Sequence, residues 1–347
     1  MLTTLVRELP SDKRWYEPKW DGFRCIVFRD GDDVLMTSRN QRPLNRYFPE
    51  VEEAVLTLPA ARLVLDGEIV ATGASGLDFA ALMLRLHPAA SRVAKLRTAT
   101  PASFVAFDIL AMGDRDLRST ALVERRALLS EVISAGPALA ITPTVADAAA
   151  ARDWLERLTA GGIDGVVAKD PASPYEAGRR TRAWLKAKCE RTADCVVGGF
   201  RRVGDVEPLV ASLLLGVYDR MGELRHVGVA SSFSMRQRAE LFDEVQRCAL
   251  PSLAGHPWEH GFALERGPMG RLRGAGGAWD PRTMSLDWVP VRPALVCEVG
   301  YDHVDPSGRW RHPARFRRWR PDRDAQSCTY EQLGFAAPGV ALPATQR

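Results

Sequence analysis

Lysine is the scarce residue in this chain. Of 47 basic side chains in 347 residues, 41 are Arg and six are Lys (Lys13, Lys19, Lys95, Lys169, Lys186, Lys188), with none beyond position 188. Long apolar runs are missing as well. The longest, at residues 209–218, is about half of the roughly 18–20 residues that a membrane helix needs, so no membrane association is expected. The opening MLTTLVRELPSDKRW has no charged stretch leading into an apolar one, which argues against a secretory signal. Six cysteines are scattered without a C-x-x-C pair, which argues against a zinc ribbon or a disulfide framework and for reduced thiols in the cytoplasm. Neither sign of charge dominates. The net charge is +4, and residues 1–189 and 190–347 carry 26 basic against 24 acidic and 21 against 19. Affinity for a polyanion must therefore come from local clusters.

What is present fits two globular domains, since 46% of residues are hydrophobic and 26% charged in a chain about twice the usual domain length. Residues 23–29 and 34–38 alternate apolar and polar side chains around Asp30-Gly31-Asp32-Asp33, the pattern of a hairpin. Residues 63–71 and 103–110 are apolar runs broken by single acids, and 122–134 and 146–160 carry helical spacing. Residues 163–169 return to strand. Beyond Lys188 the texture changes to a meander of strands at 195–200, 210–218 and 224–231, a helix at 234–248, and strands at 294–303 and near the C-terminus. Several strands with one helix suit a small barrel such as an OB-fold, although periodicity alone leaves a sandwich open. The boundary is placed at 189/190, giving domains 1–189 and 190–347.

The chemistry is concentrated in short motifs that follow one another in order. Lys19-Trp20-Asp21-Gly22-Phe23-Arg24, preceded by Glu17, has the form K-x-D-G-x-R just before the first hairpin. Ser38-Arg39-Asn40 closes that hairpin. Asp66-Gly67-Glu68 sets two carboxylates in an apolar strand, and Phe107-Asp108 ends another. Asp164-Gly165-Val166-Val167-Ala168-Lys169 has an acid and a lysine at the two ends of a strand. Trp184-Leu185-Lys186-Ala187-Lys188 puts two lysines on one strand face. Taken singly, each motif also reads as a core strand with one satisfied polar residue. Taken together, they hold four of the six lysines.

This ordered set resembles the covalent nucleotidyltransferase superfamily of DNA ligases, RNA ligases and capping guanylyltransferases, over nearly the whole chain. Gly76-Leu77-Asp78-Phe79, Arg85-Leu86-His87-Pro88, residues 212–219 and residues 311–322 are most similar to the small bacterial ATP-dependent DNA ligases of the LigC type. The resemblance implies an α+β fold, with an adenylation (nucleotidyltransferase) domain of ATP-grasp-like antiparallel sheets and helices followed by an OB-fold β-barrel. It implies sealing of nicks in duplex DNA through a lysyl-AMP intermediate and an adenylated 5′-phosphate, in DNA repair; the alternative is an RNA ligase or a capping-type transferase. ATP and Mg²⁺ (or Mn²⁺) are the implied cofactors. The implied partners are nicked duplex DNA and a Ku-type end-joining protein, and a monomer is expected.

The resemblance also assigns roles. Lys19 is the nucleophile that takes AMP. A neutral amine can attack phosphorus and release it again, which a permanently charged guanidinium cannot do. The amine must shed its proton near neutral pH, which neighbouring cations such as Lys188 and Arg39 favour. Glu68 meets the ribose hydroxyl, Phe107 stacks on adenine, Arg24 and Arg39 hold ribose and phosphate, and Glu17 presents its backbone to the adenine edge. Lys186 and Lys188 neutralise the α-phosphate, and Arg182 is a further nucleotide contact. Asp164, with Glu68, is the metal-side carboxylate. Relatives carry Glu at the position of Asp164, so its shorter reach suits a water-mediated contact. Arg320 and Asp322 belong to an Arg-rich segment that resembles the motif closing over ATP, in which Arg323 replaces the usual Lys. The loop at residues 266–277 is a further candidate for contact with a phosphate backbone. The short lead-in before Lys19 and the unpaired cysteines argue for ATP over NAD as the donor and for a stand-alone ligase without a helical DNA-binding domain.

Overall fold

The computed structural model describes residues 1–73, 76–87, 89–157, 163–188, 191–204, 208–259, 288–302, 304 and 308–333. The loop at 266–277 lies outside them. By internal contacts the chain divides into two compact units, Met1–Cys189 and Glu190–Phe335.

The first unit contains strands β1 (Leu2–Val6), β2 (Trp15–Pro18), β3 (Phe23–Asp30), β4 (Asp33–Ser38), β5 (Arg62–Gly73), β6 (Gly76–Leu77), β7 (Ala102–Met112), β8 (Arg115–Asp116), β9 (Leu139–Ile141), β10 (Val166–Lys169) and β11 (Arg180–Ala187). Its helices are α1 (Pro49–Leu56), α2 (Phe79–Leu84), α3 (Ala90–Ala99), α4 (Leu122–Val132) and α5 (Ala148–Arg157). The larger sheet runs β4-β3-β5-β7-β8, with β6 on β5 and β9 on β7; the smaller runs β1-β11-β10-β2.

The hairpin expected at 23–38 forms as β3 and β4, in strictly antiparallel register from Cys25↔Ser38 to Asp30↔Asp33. Gly31, at φ 63°, makes its turn. Strands β5 and β7 read as near-continuous apolar runs because both of their faces are covered. One face packs Leu63, Leu65, Ile69, Phe104 and Ile109 into the main core with Val51, Val55 and Leu129 of α1 and α4. Opposite it, Ile26, Val64 and Phe107 join Tyr175 and Trp184. This second face carries the site.

The second unit is a meander of β12 (Arg191–Arg202), β13 (Val210–Tyr218) and β14 (Leu224–Ala230), then helix α6 (Met235–Arg247), then β15 (Val289–Pro290), β16 (Val296–Tyr301) and β17 (Arg315–Trp319). Its sheet order is β14-β13-β12-β16-β17. Ala314, just before β17, forms a parallel bridge with Ala230 at the end of β14, which curls the sheet toward closure. Strands flanking a helix in this order give the OB-type barrel. Ser234 caps α6 through a capping box with Gln237. Glycines make the interior passable, since a Cβ on Gly198 or Gly228 would lie 2.3 Å from the Trp258 ring or 2.8 Å from the Trp310 ring.

Candidate active site

Three Asp-Gly pairs build the site, and in each the glycine is required by close packing. A Cβ on Gly22 would lie 2.1 Å from the Ile69 carbonyl oxygen, and one on Gly67 would lie 2.4 Å from the Phe104 ring. A Cβ on Gly165, at φ 142°, would lie 2.2 Å from the Ala187 carbonyl oxygen. These approaches clamp the entry to β3 against β5, β5 against β7, and the start of β10 against the end of β11.

Lys19 directly follows β2. Its amide donates to the Gly165 carbonyl at 2.8 Å, and the Asp164 amide donates to the Lys19 carbonyl at 2.9 Å. These bonds continue the β2–β10 ladder beyond Pro18↔Val166. They hold the two side chains next to each other, and the Lys19 ammonium pairs with Asp164 Oδ2. Asp164 Oδ1 accepts Lys188 Nζ at 3.0 Å, so one buried carboxylate gathers two lysines. Burial, with the charges of Lys19 and Lys188, lowers the pKa of Lys186. Trp20 anchors this corner through Nε1, which donates to Thr142 Oγ1 at 2.9 Å.

Glu68 stands opposite Arg24 in the β3–β5 register. Burial pushes its carboxyl from 4.5 up to about 8, against the opposing pull of Lys19 and Arg24. Arg24 grips Asp66 with two bonds, Nε to Oδ1 at 3.1 Å and Nη2 to Oδ2 at 2.7 Å. Phe107 is the extra residue of a β-bulge, because Asp66 faces Asp108 while Gly67 faces Ala106. A bulge re-aims one side chain out of the regular alternation. The Phe107 ring thereby lies 5.7 Å from the Arg24 guanidinium carbon.

A buried polar layer lies beneath these groups; the sequence motifs contain its Glu17, Asp66, Asp108 and Lys169 but not its Arg125, Arg126 or Tyr175. Glu17 pairs with Lys169 Nζ at 2.6 Å and with Arg126 Nη1 at 3.6 Å. Lys169 lies 4.8 Å from the Phe107 ring centroid and 4.2 Å from that of Trp184. Burial lowers its pKa while Glu17 and Asp108 oppose the shift. Asp108 is held by Arg125 through bonds of 2.7 and 2.9 Å. Tyr175 donates to Asp66 Oδ2 at 2.8 Å. The only sequence signal for this layer was charge inside apolar runs.

The structure thus brings together Lys19, Asp164, Lys186, Lys188 and Glu68, and sets Arg24 beside Phe107. Arg39 lies exposed in the turn after β4, and Arg182 is exposed on β11. Arg320 and Asp322 belong to the second unit, where Arg320 bonds Asp194 at 3.0 Å and Asp322 at 2.8 Å. Arg323 bonds Asp194 at 3.2 Å. Among the described residues no group of three or more His, Cys, Asp or Glu converges as a metal cage. Asp164 and Glu68 each act on Lys19, and carboxylate oxygens are the donor type that Mg²⁺ takes, one or two to a site with phosphate and water completing the shell.

The sequence matches the family described as ATP dependent DNA ligase domain over residues 1–188 and the ATP dependent DNA ligase C terminal region over residues 207–323. It is 46% identical to DNA ligase C2 of Mycolicibacterium smegmatis, covering 96% of this chain and 93% of that one. It is 44% identical to DNA ligase C of Mycobacterium tuberculosis, covering 96% and 92%. In fold it is similar to a solved Lig E DNA ligase, with a TM-score of 0.54 at 16% identity, covering 92% of this chain and 100% of that chain. The chain belongs to the ATP-dependent DNA ligase family, in its LigC-type bacterial branch.

Proposed function

We propose that this ligase seals nicks in duplex DNA with Lys19 as the carrier of AMP. The observation that supports this most is the Lys19–Asp164–Lys188 cluster. It fixes a primary amine by its own main chain and flanks it with cations. In the first step Lys19 Nζ, after losing a proton, attacks the α-phosphorus of ATP; a P–N bond forms, the α–β bridging P–O bond breaks, and pyrophosphate leaves. Lys186 and Lys188 offset the charge gathering on the α-phosphate. An oxygen of the DNA 5′-phosphate then attacks the same phosphorus and releases Lys19. Finally the 3′-hydroxyl attacks the 5′-phosphate, and AMP leaves as the strand closes.

Around this carrier, Phe107 stacks on adenine, Glu68 takes the ribose hydroxyl, and Arg24, Arg39 and Arg182 hold ribose and phosphate, while the β2 main chain at Glu17 meets the adenine edge. Arg320 and Asp322 of the second unit orient the leaving pyrophosphate. Mg²⁺ (or Mn²⁺), held by Asp164 and Glu68, would supply charge neutralisation of the triphosphate. The reading extends to work in the cytoplasm, as a monomer in DNA repair, with a Ku-type end-joining partner.

The test is covalent labelling. With ATP labelled at the α-phosphate and Mg²⁺, the protein gains one AMP per chain and passes it to nicked DNA, and Lys19→Ala gains none. Labelling that survives the substitution, or sealing without transfer through the protein, refutes the assignment.

A further inference from the structure

Arg24 uses Nε and Nη2 on Asp66, and Nη2 also reaches the Tyr175 hydroxyl at 3.3 Å. Among the described residues Nη1 makes no hydrogen bond, and the side chain keeps about a quarter of its surface exposed (23%). It is therefore the one Arg24 nitrogen left for a ligand, and its direction depends on what fixes the guanidinium plane. Asp66 is fully buried and could hold that plane in more than one orientation. The Tyr175 hydroxyl removes this freedom by donating to Oδ2 at 2.8 Å and accepting from Arg24.

Tyr175 is itself held by two neighbours. Trp184 of β11 meets it edge-on, with ring centroids 5.8 Å apart, and Trp184 meets Phe107 at 6.0 Å in the same way. The Arg125 guanidinium lies 5.9 Å from the ring centroid while bonding Asp108 with both arms. The hydroxyl stays a neutral donor, because burial and the neighbouring Asp66 push its pKa up. The result is a closed circuit Arg24–Asp66–Tyr175–Trp184–Phe107, which returns to Arg24 through the 5.7 Å contact with Phe107. It joins the large sheet, through β3, β5 and β7, to the small sheet through β11.

We propose that Tyr175 is a positioning residue for the nucleotide. Its hydroxyl locks the Arg24–Asp66 pair so that Arg24 Nη1 and the Phe107 ring present a preformed surface to the ribose and base of ATP. The proposal rests on the functional reading above and deepens it. A residue that orients a ground-state contact acts on substrate binding and leaves the chemical step at Lys19 unchanged.

The experiment uses the full chain and follows lysyl-AMP formation against ATP concentration. Tyr175→Phe keeps the ring, and with it the Trp184 and Arg125 contacts, and removes only the hydroxyl. The half-saturating ATP concentration is expected to rise about tenfold, the range of one lost hydrogen bond to a charged group. The maximal rate should change by less than about twofold. In an Arg24→Lys background, which keeps a cation beside Asp66, Tyr175→Phe should add less than about twofold, because both changes act through one contact. An unchanged half-saturation, full additivity with Arg24→Lys, or a loss confined to the maximal rate with a lowered thermal midpoint each overturns the proposal. Absence of AMP transfer to the wild-type protein would instead refute the functional reading itself.

Discussion

At the scale of single residues, what distinguishes this site is how little space surrounds it. Gly165 joins the carboxylate that gathers Lys19 and Lys188 to the start of β10, at φ 142° and with no room for a Cβ. Gly165→Ala is expected to cost at least about 2 kcal/mol, since backbone strain and a steric clash add. The measurements are the urea midpoint and AMP loading. A normal midpoint with normal loading would show that the approach to Ala187 is not needed. Chemical type was legible at this scale: lysines in a lysine-poor chain and acids inside apolar runs marked the positions that the fold later gathers. Partners were not. Glu17 lies 152 residues from Lys169, with which it pairs, and Arg24 lies 151 residues from Tyr175. No local pattern encodes such meetings. Arg85, singled out with Leu86 and His87 as a family feature, is fully buried. It bonds Glu50 at 2.6 and 3.0 Å and the carbonyls of Tyr47 and Thr100. In this structure it ties helices together.

At the scale of elements, periodicity located what was strongly patterned. The hairpin, β5, β7, β13, β14 and α6 all lie where alternation or helical spacing placed them. Strand β1 was missed because LTTLV has no alternation of its own; it is a strand only because it pairs in parallel with β11. Helix α3 was missed because its sequence, ASRVAKLRTA, buries only Val93. The bulge that re-aims Phe107 is likewise a property of the β5–β7 register, not of either strand. A pH dependence belongs at this scale too. His226 on β14 is buried, with Arg309 and Arg201 close by, which holds its imidazole well below its ordinary 6.5. Below that pH the unfolded chain binds a proton that the folded one refuses, so stability falls as pH drops. Chemical unfolding from about pH 7.5 to about pH 5.5 should show a steeper loss for the wild type than for His226→Gln. Equal slopes would show that His226 takes no part.

At the scale of the whole molecule, a net charge of +4 spread evenly over two halves leaves no general attraction for DNA. The Arg-rich segment is also largely committed. Arg315 pairs with Asp302, Arg318 with Glu298, and Arg320 and Arg323 with Asp194. Binding of a nicked duplex should therefore involve few phosphates. Roughly four neutralised phosphates would give a log–log salt slope near −4. Titration of binding against salt checks this, and a slope near −10 would show a far more extensive basic surface.

The amino-acid sequence by itself determined the chemistry available to this protein: one lysine in K-x-D-G, carboxylates at fixed places in strands, and an aromatic beside an acid. Those identities and spacings are written in the chain. Only the tertiary structure decided which of these groups act on one another. The Lys19–Asp164 pair, the Arg24–Asp66–Tyr175 brace and the buried Glu17–Lys169 pair each join segments far apart in sequence. Such contacts follow from sheet register, a bulge and glycine-permitted close packing, because the energy of a buried ion pair depends on distance and burial, and neither quantity exists until the strands have paired.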